Sequence, residues 1–208
     1  MKTISSLILA FLIILMPISC ATIQPEKPEI PEISNVVLKK PAPPIYIMSA
    51  GMISAENLAF FLLQNNPRVD AGYARMLAII YTEEAAFEGV NHDIAFVQMT
   101  LETGFLSFRG DVKPEQNNFA GLGAIGNGEP GLSFPNARIG VRAQIQHLKA
   151  YGCVEPLNGE LVNPRFRFVR RGVAPTYEGL AGTWAADRLY ADKIRTILQR
   201  LYDFSFAD

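Results

Sequence analysis

A mainly α domain is what this chain of 208 residues predicts, and three observations predict it. Apolar residues recur at three- and four-residue spacing in segment after segment. Three of those segments open on Ser54, Asp70 or Asn91, and two of them close on Gly, residue types that cap helices. No alternating run of apolar and polar residues makes a convincing strand, although a small hairpin within residues 105–135 would suit the turn residues there.

Ser54 is placed to cap a first helix, with Leu58, Phe61 and Leu62 as its stripe and Asn65-Asn66-Pro67 as its stop. A longer helix is expected from Asp70 to Glu88, with Tyr73, Leu77, Ile80, Tyr81 and Phe87 at helical spacing and Gly89 closing it. Its Glu83, Glu84 and Glu88 read as a solvated face. Asn91 opens a third helix in which Asp93 suits the positive dipole end, Ile94, Val97 and Leu101 make the buried stripe, and Gly104 supplies the stop. Phe105 to Arg109 should lay aromatic rings over the core, and residues 111–116 form a loop. From Gly121 to Gly131 the chain carries five glycines and a single acid, Glu129, which reads as a flexible rim. Ala137 to Tyr151 is a helix with Ile139, Val141, Ile145 and Leu148 toward the core and His147, read as a structural histidine, near its polar seam. A turn at Asn163–Phe166, a short helical piece from Tyr177 to Trp184, and a terminal helix from Tyr190 to Tyr202 complete the domain.

With 49% hydrophobic and 19% charged residues, the chain is long enough for one globular domain, set at residues 46–208. Its net charge of -1 hides an asymmetry. Residues 46–137 carry ten acids against four bases, whereas residues 138–200 carry five acids against eleven bases. Arg165, Arg167, Arg170 and Arg171 form a group dense enough to meet an anionic polymer. The overall balance and the lack of a reading motif argue against nucleic acid. Two histidines and one cysteine beyond Cys20 make no metal cluster, so no metal and no other cofactor is expected. The glycine-rich rim lacks the Gly-Lys-Ser/Thr ending of a phosphate loop.

Residues 1–20 have the form of an export signal: Lys2, an apolar run from Leu7 to Ile18, then Ser19-Cys20. The pattern resembles a bacterial lipoprotein signal in which Cys20 carries the lipid, with Pro17 where leucine is usual; an ordinary cleaved signal is the alternative. Residues 21–45 hold six prolines and read as a disordered tether spanning up to roughly 80 Å at about 3 Å per residue. The expected location is outside the cell, lipid-anchored to a bacterial membrane facing the wall, or secreted.

The chemistry concentrates at Asn91–Gly123. Gln98 and Glu102 are four apart and share a helical face, and Glu102 lies in the last turn, where the dipole and loss of water disfavour its ionised form. A carboxyl tuned that way suits a general acid. Gln98, three residues, Glu102-Thr103-Gly104, then Asn117-Asn118-Phe119 and the glycine turn to Gly123 resemble the glucosaminidase family of peptidoglycan hydrolases, glycoside hydrolase family 73. Thr183 to Ile194 resembles that family's C-terminal block, with Trp184 where tyrosine is usual. The three blocks stand in the family's order across roughly residues 54–202.

That resemblance implies a lysozyme-like, two-lobed domain with a carbohydrate groove, and an endo-β-N-acetylglucosaminidase acting on peptidoglycan glycan strands as a monomer. It implies Glu102 as the catalytic acid. A second carboxylate is usual in glycoside hydrolysis, and Glu129, then Asp187, are the candidates unless the substrate's 2-acetamido group takes the role. Gln98, Asn117, Asn118, Phe119, Trp184, Asp187 and Tyr190 are the expected substrate contacts. Trp184 offers a stacking face, core packing being its other reading. A lytic transglycosylase of the same layout and a non-catalytic wall-binding lipoprotein are the rival readings.

Overall fold

A computed structural model describes residues 40–124 and 128–207. Expectations for residues 1–20, Cys20 and most of the 21–45 segment lie outside the described residues. Five α-helices carry the domain: α1 (Ala55–Asn65), α2 (Ala71–Glu88), α3 (His92–Thr103), α4 (Ala137–Gly152) and α5 (Tyr190–Ser205). Short 3-10 turns stand at Pro114–Gln116, Phe166–Phe168 and Tyr177–Leu180, the last in place of the expected helical piece. The fold is mainly α and lysozyme-like.

The caps act as the residue types dictate. Ser54 accepts from the Asn57 amide, Asp70 from Tyr73, and Asn136 from Ile139, while Asn91 accepts from both Asp93 and Ile94. Gly104 ends α3 in the left-handed conformation at φ 58°. Helix α3 is the centre of the fold. Its residues from Asp93 to Thr100 are all buried, and α2, α4 and α5 pack around it.

Burial on all sides obliges α3's polar groups to find partners. Asp93 accepts from the amides of Met52 (2.9 Å) and Ile53 (3.2 Å) and from the Tyr202 hydroxyl (2.7 Å). Those bonds fix the segment before α1 and the far end of α5 to one side chain. Asn91 donates to Ser49 Oγ and Ala50 O, and Ile47 exchanges backbone bonds with Pro175 and Asn91, so residues 45–53 run as a strap beneath the helices. Lys40, at the start of the described chain, pairs with Asp203 on α5.

The acidic face expected on α2 is corrected. Glu84 and Glu88 are buried, because the opposite charges of α4 lie across from them. Arg142 grips Glu84 through Nε (2.8 Å) and Arg138 bridges Glu84 and Glu83. Glu88 binds Lys149 Nζ at 2.8 Å and accepts from the amides of Asn158 and Gly159. The charge asymmetry of the sequence is thus partly spent inside the molecule, between α2 and α4. Phe87, expected in the apolar stripe, is exposed.

Two apolar clusters flank the cleft. The larger gathers all five helices; the smaller consists of Ala120, Leu122, Phe134 and Ala143, and Trp184 packs against both. Among the described residues no strand forms within 105–135, where a hairpin was expected. The loop is held by side chains instead: Gln116 Nε2 donates to Pro130 O and Leu132 O, and Asn117 Nδ2 donates to Phe134 O. Gly140 makes this docking feasible, since a Cβ there would lie 1.8 Å from Asn117 O.

The Glu88–Lys149 pair is 2% and 3% exposed, and breaking one side of a buried pair leaves the other charge stranded. Lys149→Met should therefore cost about 3 kcal/mol of unfolding free energy. The double variant Glu88→Gln/Lys149→Met should recover a measurable part of it in denaturant titrations, and strict additivity would show that the pair does not couple.

Candidate functional site

Helix α3 delivers Glu102 to the cleft one residue before its end. The residue is open to the cleft, yet its carboxyl stands in a crowded concavity. Trp184 Nε1 donates to Glu102 Oε1 at 3.2 Å, and the Tyr190 hydroxyl makes a short hydrogen bond to the same oxygen. Gly121 lies against the other oxygen, a Cβ there falling 3.6 Å from Oε2. Burial raises the Glu102 pKa above its ordinary value, and the two donors pull it down only partly. No cation touches it among the described residues.

Behind Tyr190 runs a buried chain of hydrogen bonds with one direction. Tyr81 OH on α2 donates to Gln144 Oε1 (2.5 Å), Gln144 Nε2 on α4 donates to Gln98 Oε1 (2.8 Å), and Gln98 Nε2 on α3 donates to Tyr190 OH (3.1 Å). Tyr190 is then free to donate only forward, to Glu102. Burial first, then the facing Glu102 charge, push the Tyr190 pKa well up, so its proton stays in place as the donor. A chain polarised in one direction strengthens each bond along it. Four helices thereby converge on one carboxylate oxygen.

The expected site residues divide. Glu102, Trp184 and Tyr190 meet, with Trp184 supplying an N–H donor where the family usually has tyrosine. Gln98 is fully buried and reaches the site through Tyr190, so its expected contact with substrate is corrected to a supporting one. Asn118 and Phe119, each 1% exposed, are likewise corrected. Asn118 binds Leu122 O and Leu132 O and accepts from the Leu122 amide, and Phe119 packs edge-on against Tyr81. Asn117 holds Phe134 O with φ at 49°, the turn role that asparagine tolerates. Asp187 caps the Leu189 amide (2.9 Å) and pairs with Lys193 (2.6 Å), and those two partners occupy both of its oxygens. Glu129 is exposed on the rim next to residues 125–127, which are not described.

Gln144 and Tyr81 were missed as site residues. Gln144 lies three residues after Val141 and four before Leu148, on the core-facing stripe of α4, and a polar residue there was the available signal. His147 is neutral: burial, then the Arg165 charge, hold its pKa at about 4, and Asn163 Nδ2 lies 2.8 Å from its Nδ1. It stacks edge-on against Trp184. A cavity of about 240 Å³ opens beside Glu102, walled by Gly121, His147, Tyr151, Arg165 and Trp184. A roomier one of about 490 Å³, behind the loop of Leu106 to Arg109, includes neither Glu102 nor its partners.

A helical domain that lifts one uncompensated carboxyl into a concave, aromatic-walled cleft is a glycoside hydrolase of the lysozyme-like class. The chain belongs to the Glucosaminidase family, whose model, described as mannosyl-glycoprotein endo-beta-N-acetylglucosaminidase, matches residues 78–203. Membership places it among the peptidoglycan hydrolases. An uncharacterized protein of Borreliella burgdorferi is 43% identical over 180 residues, covering 86% of this chain and 88% of that protein.

The raised pKa makes a stability prediction with a definite sign. Folded Glu102 holds its proton more tightly than the unfolded chain does, so its favourable contribution is complete below the ordinary value of 4.5 and is lost as pH rises through the folded value. Glu102→Gln keeps an acceptor for Trp184 and Tyr190 without the charge. It should raise the melting temperature at neutral pH, with the gain shrinking toward about pH 4. A gain independent of pH would overturn the assignment of the cost to ionisation.

Proposed function

We propose that the protein is an endo-β-N-acetylglucosaminidase that hydrolyses the β-1,4 bond after N-acetylglucosamine in peptidoglycan glycan strands. The observation that carries this reading is the Glu102 carboxyl, held through one oxygen by two neutral donors, with burial raising its pKa above the ordinary carboxylate value. The oxygen beside Gly121 is left toward the cleft, where a glycosidic oxygen needs a proton. Tyr190 and Trp184 fix the carboxyl's rotation and stabilise the carboxylate left after transfer.

A second carboxylate would activate water or attack the sugar. Asp187 is ill suited because Lys193 and the Leu189 amide occupy it. Glu129 suits the role better. It projects from a rim whose base Gln116 pins at Pro130 and Leu132, so the acid sits on an anchored segment. The export signal, the Cys20 lipid anchor and the wall-facing location belong to the same reading.

Glu102→Gln should reduce release of fragments from purified peptidoglycan by at least ~10²-fold while circular dichroism stays unchanged. Glu129→Gln should slow release by a comparable factor, and wild-type rates there would leave substrate assistance as the course. Mass spectrometry should find N-acetylglucosamine at the reducing ends. Anhydro-muramyl ends would replace the hydrolase with a lytic transglycosylase, and an inert wild-type protein that still binds the wall would leave the non-catalytic reading.

A further inference from the structure

The four arginines between residues 165 and 171 do not act as one patch. Arg171 donates through Nε to Cys153 O (3.2 Å) and through its terminal nitrogen to Glu155 O, and its guanidinium lies 4.6 Å from the Phe166 ring centre, so it braces the loop after α4. Arg167 lies 4.8 Å from the Phe168 ring centre. Arg165 alone of the four lines the 240 Å³ cavity beside Glu102.

Its placement is built rather than incidental. Fully buried Asn163 holds the Arg165 amide through Oδ1 at 2.9 Å, contacts His147, and has its own amide bound by Gln146 of α4. The guanidinium is supported on the face of Phe168 at 5.0 Å. No carboxylate among the described residues pairs with it. The neighbouring walls are neutral: His147 is uncharged, the Tyr151 hydroxyl is spent on Thr183 O at 3.0 Å, and Trp184 faces Glu102. Arg165 is exposed at the cavity wall with no carboxylate of the described residues paired to it, so its guanidinium is available to a carboxylate from a ligand.

The substrate supplies one at the right place. If cleavage follows N-acetylglucosamine, as proposed above, the leaving oxygen is O4 of a muramic sugar, and the lactyl ether of that sugar stands on the adjacent carbon, at O3. Trp184 binds Glu102, Gly121 lies next to its other oxygen, and both wall the Arg165 cavity, so that cavity adjoins the place where the O4 of the leaving sugar would meet Glu102. We propose that Arg165 is a specificity-determining residue that binds the free lactyl carboxylate of the leaving sugar. At about 240 Å³ the cavity is smaller than sites for drug-sized ligands and has room for a lactyl group, whereas an amide-linked peptide would remove the carboxylate that Arg165 binds. The preferred substrate is then a glycan strand already stripped of its peptides, the product of an amide-hydrolysing step.

The test compares wild type, Arg165→Gln and Arg165→Lys on three glycans: peptide-free strands, the same strands with lactyl carboxyls capped as methylamides, and neutral β-1,4 N-acetylglucosamine oligomers. On peptide-free strands Arg165→Gln should lose about 10- to 100-fold in kcat/KM, the worth of a charged hydrogen bond. Capping should cost the wild type a similar factor, and Arg165→Lys should retain part of the preference. Wild type and Arg165→Gln should match on capped strands and on neutral oligomers. Equal loss on all three glycans, or no loss on any, would overturn the proposal while leaving the hydrolase reading intact. Fragments ending in reducing muramic acid, or a wild-type protein that cleaves none of the three, would overturn both.

Discussion

Helix α3 is enclosed on every side and still carries Asn91, Asp93 and Gln98, and a polar group taken from water without a partner costs about 1–3 kcal/mol. That obligation places the neighbours. Asn91 and Asp93 collect the Ser49 hydroxyl and the backbone of Ala50, Met52 and Ile53, and Asp93 also reaches Tyr202 at the end of α5. Gln98 draws in Tyr190 at the start of α5 and Gln144 from the middle of α4. Helix α5 is therefore tied to α3 near both of its ends, and its rotation is set before any apolar packing is considered. Glu102 lies one turn beyond Gln98 on the same helix, and it shares Tyr190 with Gln98.

The carboxylates enclosed between α2 and α4 and the carboxyl of Glu102 are held in two ways. Glu84 and Glu88 meet arginine or lysine, which holds them as anions and uses them to join α2 to α4. Glu102 meets only a hydroxyl and an indole N–H. A cation at that position would hold the carboxyl ionised and remove the proton that a general acid must transfer. Neutral donors orient it while leaving burial to dominate. The gathering of bases in the C-terminal part serves the first purpose on α4, and Arg165 is what remains facing the cleft.

The helices were legible because their caps and stripes are local: Ser54, Asp70 and Asn91 mark helix starts through bonds to amides three residues on. Glu102 was legible for the same reason, since its place in the last turn follows from Gly104. The acidic face of α2 was misread because its burial depends on α4, some 55 residues later, and a helical wheel of α2 alone holds no trace of Lys149. The Tyr81–Gln144–Gln98–Tyr190 chain joins four helices, and periodicity within any one of them describes only a stripe. The anomaly of Gln144 on an apolar face marks a network without saying where it leads.

Asn117, Asn118 and Phe119 show what such a short motif encodes physically. Their residue types suit a sugar contact, yet each is consumed by the loop that carries it. Asn117 bends the chain at φ 49° and lets its carbonyl sit against Gly140, Asn118 closes the turn at Leu122 with three bonds, and Phe119 anchors the turn on Tyr81. The outcome of all three is the position of Gly121, the residue that lies against Glu102 Oε2 and walls the Arg165 cavity. A side chain there would enter the space that the glycosidic oxygen and the next sugar need. The motif therefore specifies the shape of an opening. Its chemistry is delivered from elsewhere, by the ends of α3 and α5 and by the Trp184 turn, while Asn118 and Phe119 stay buried at the heart of the signature.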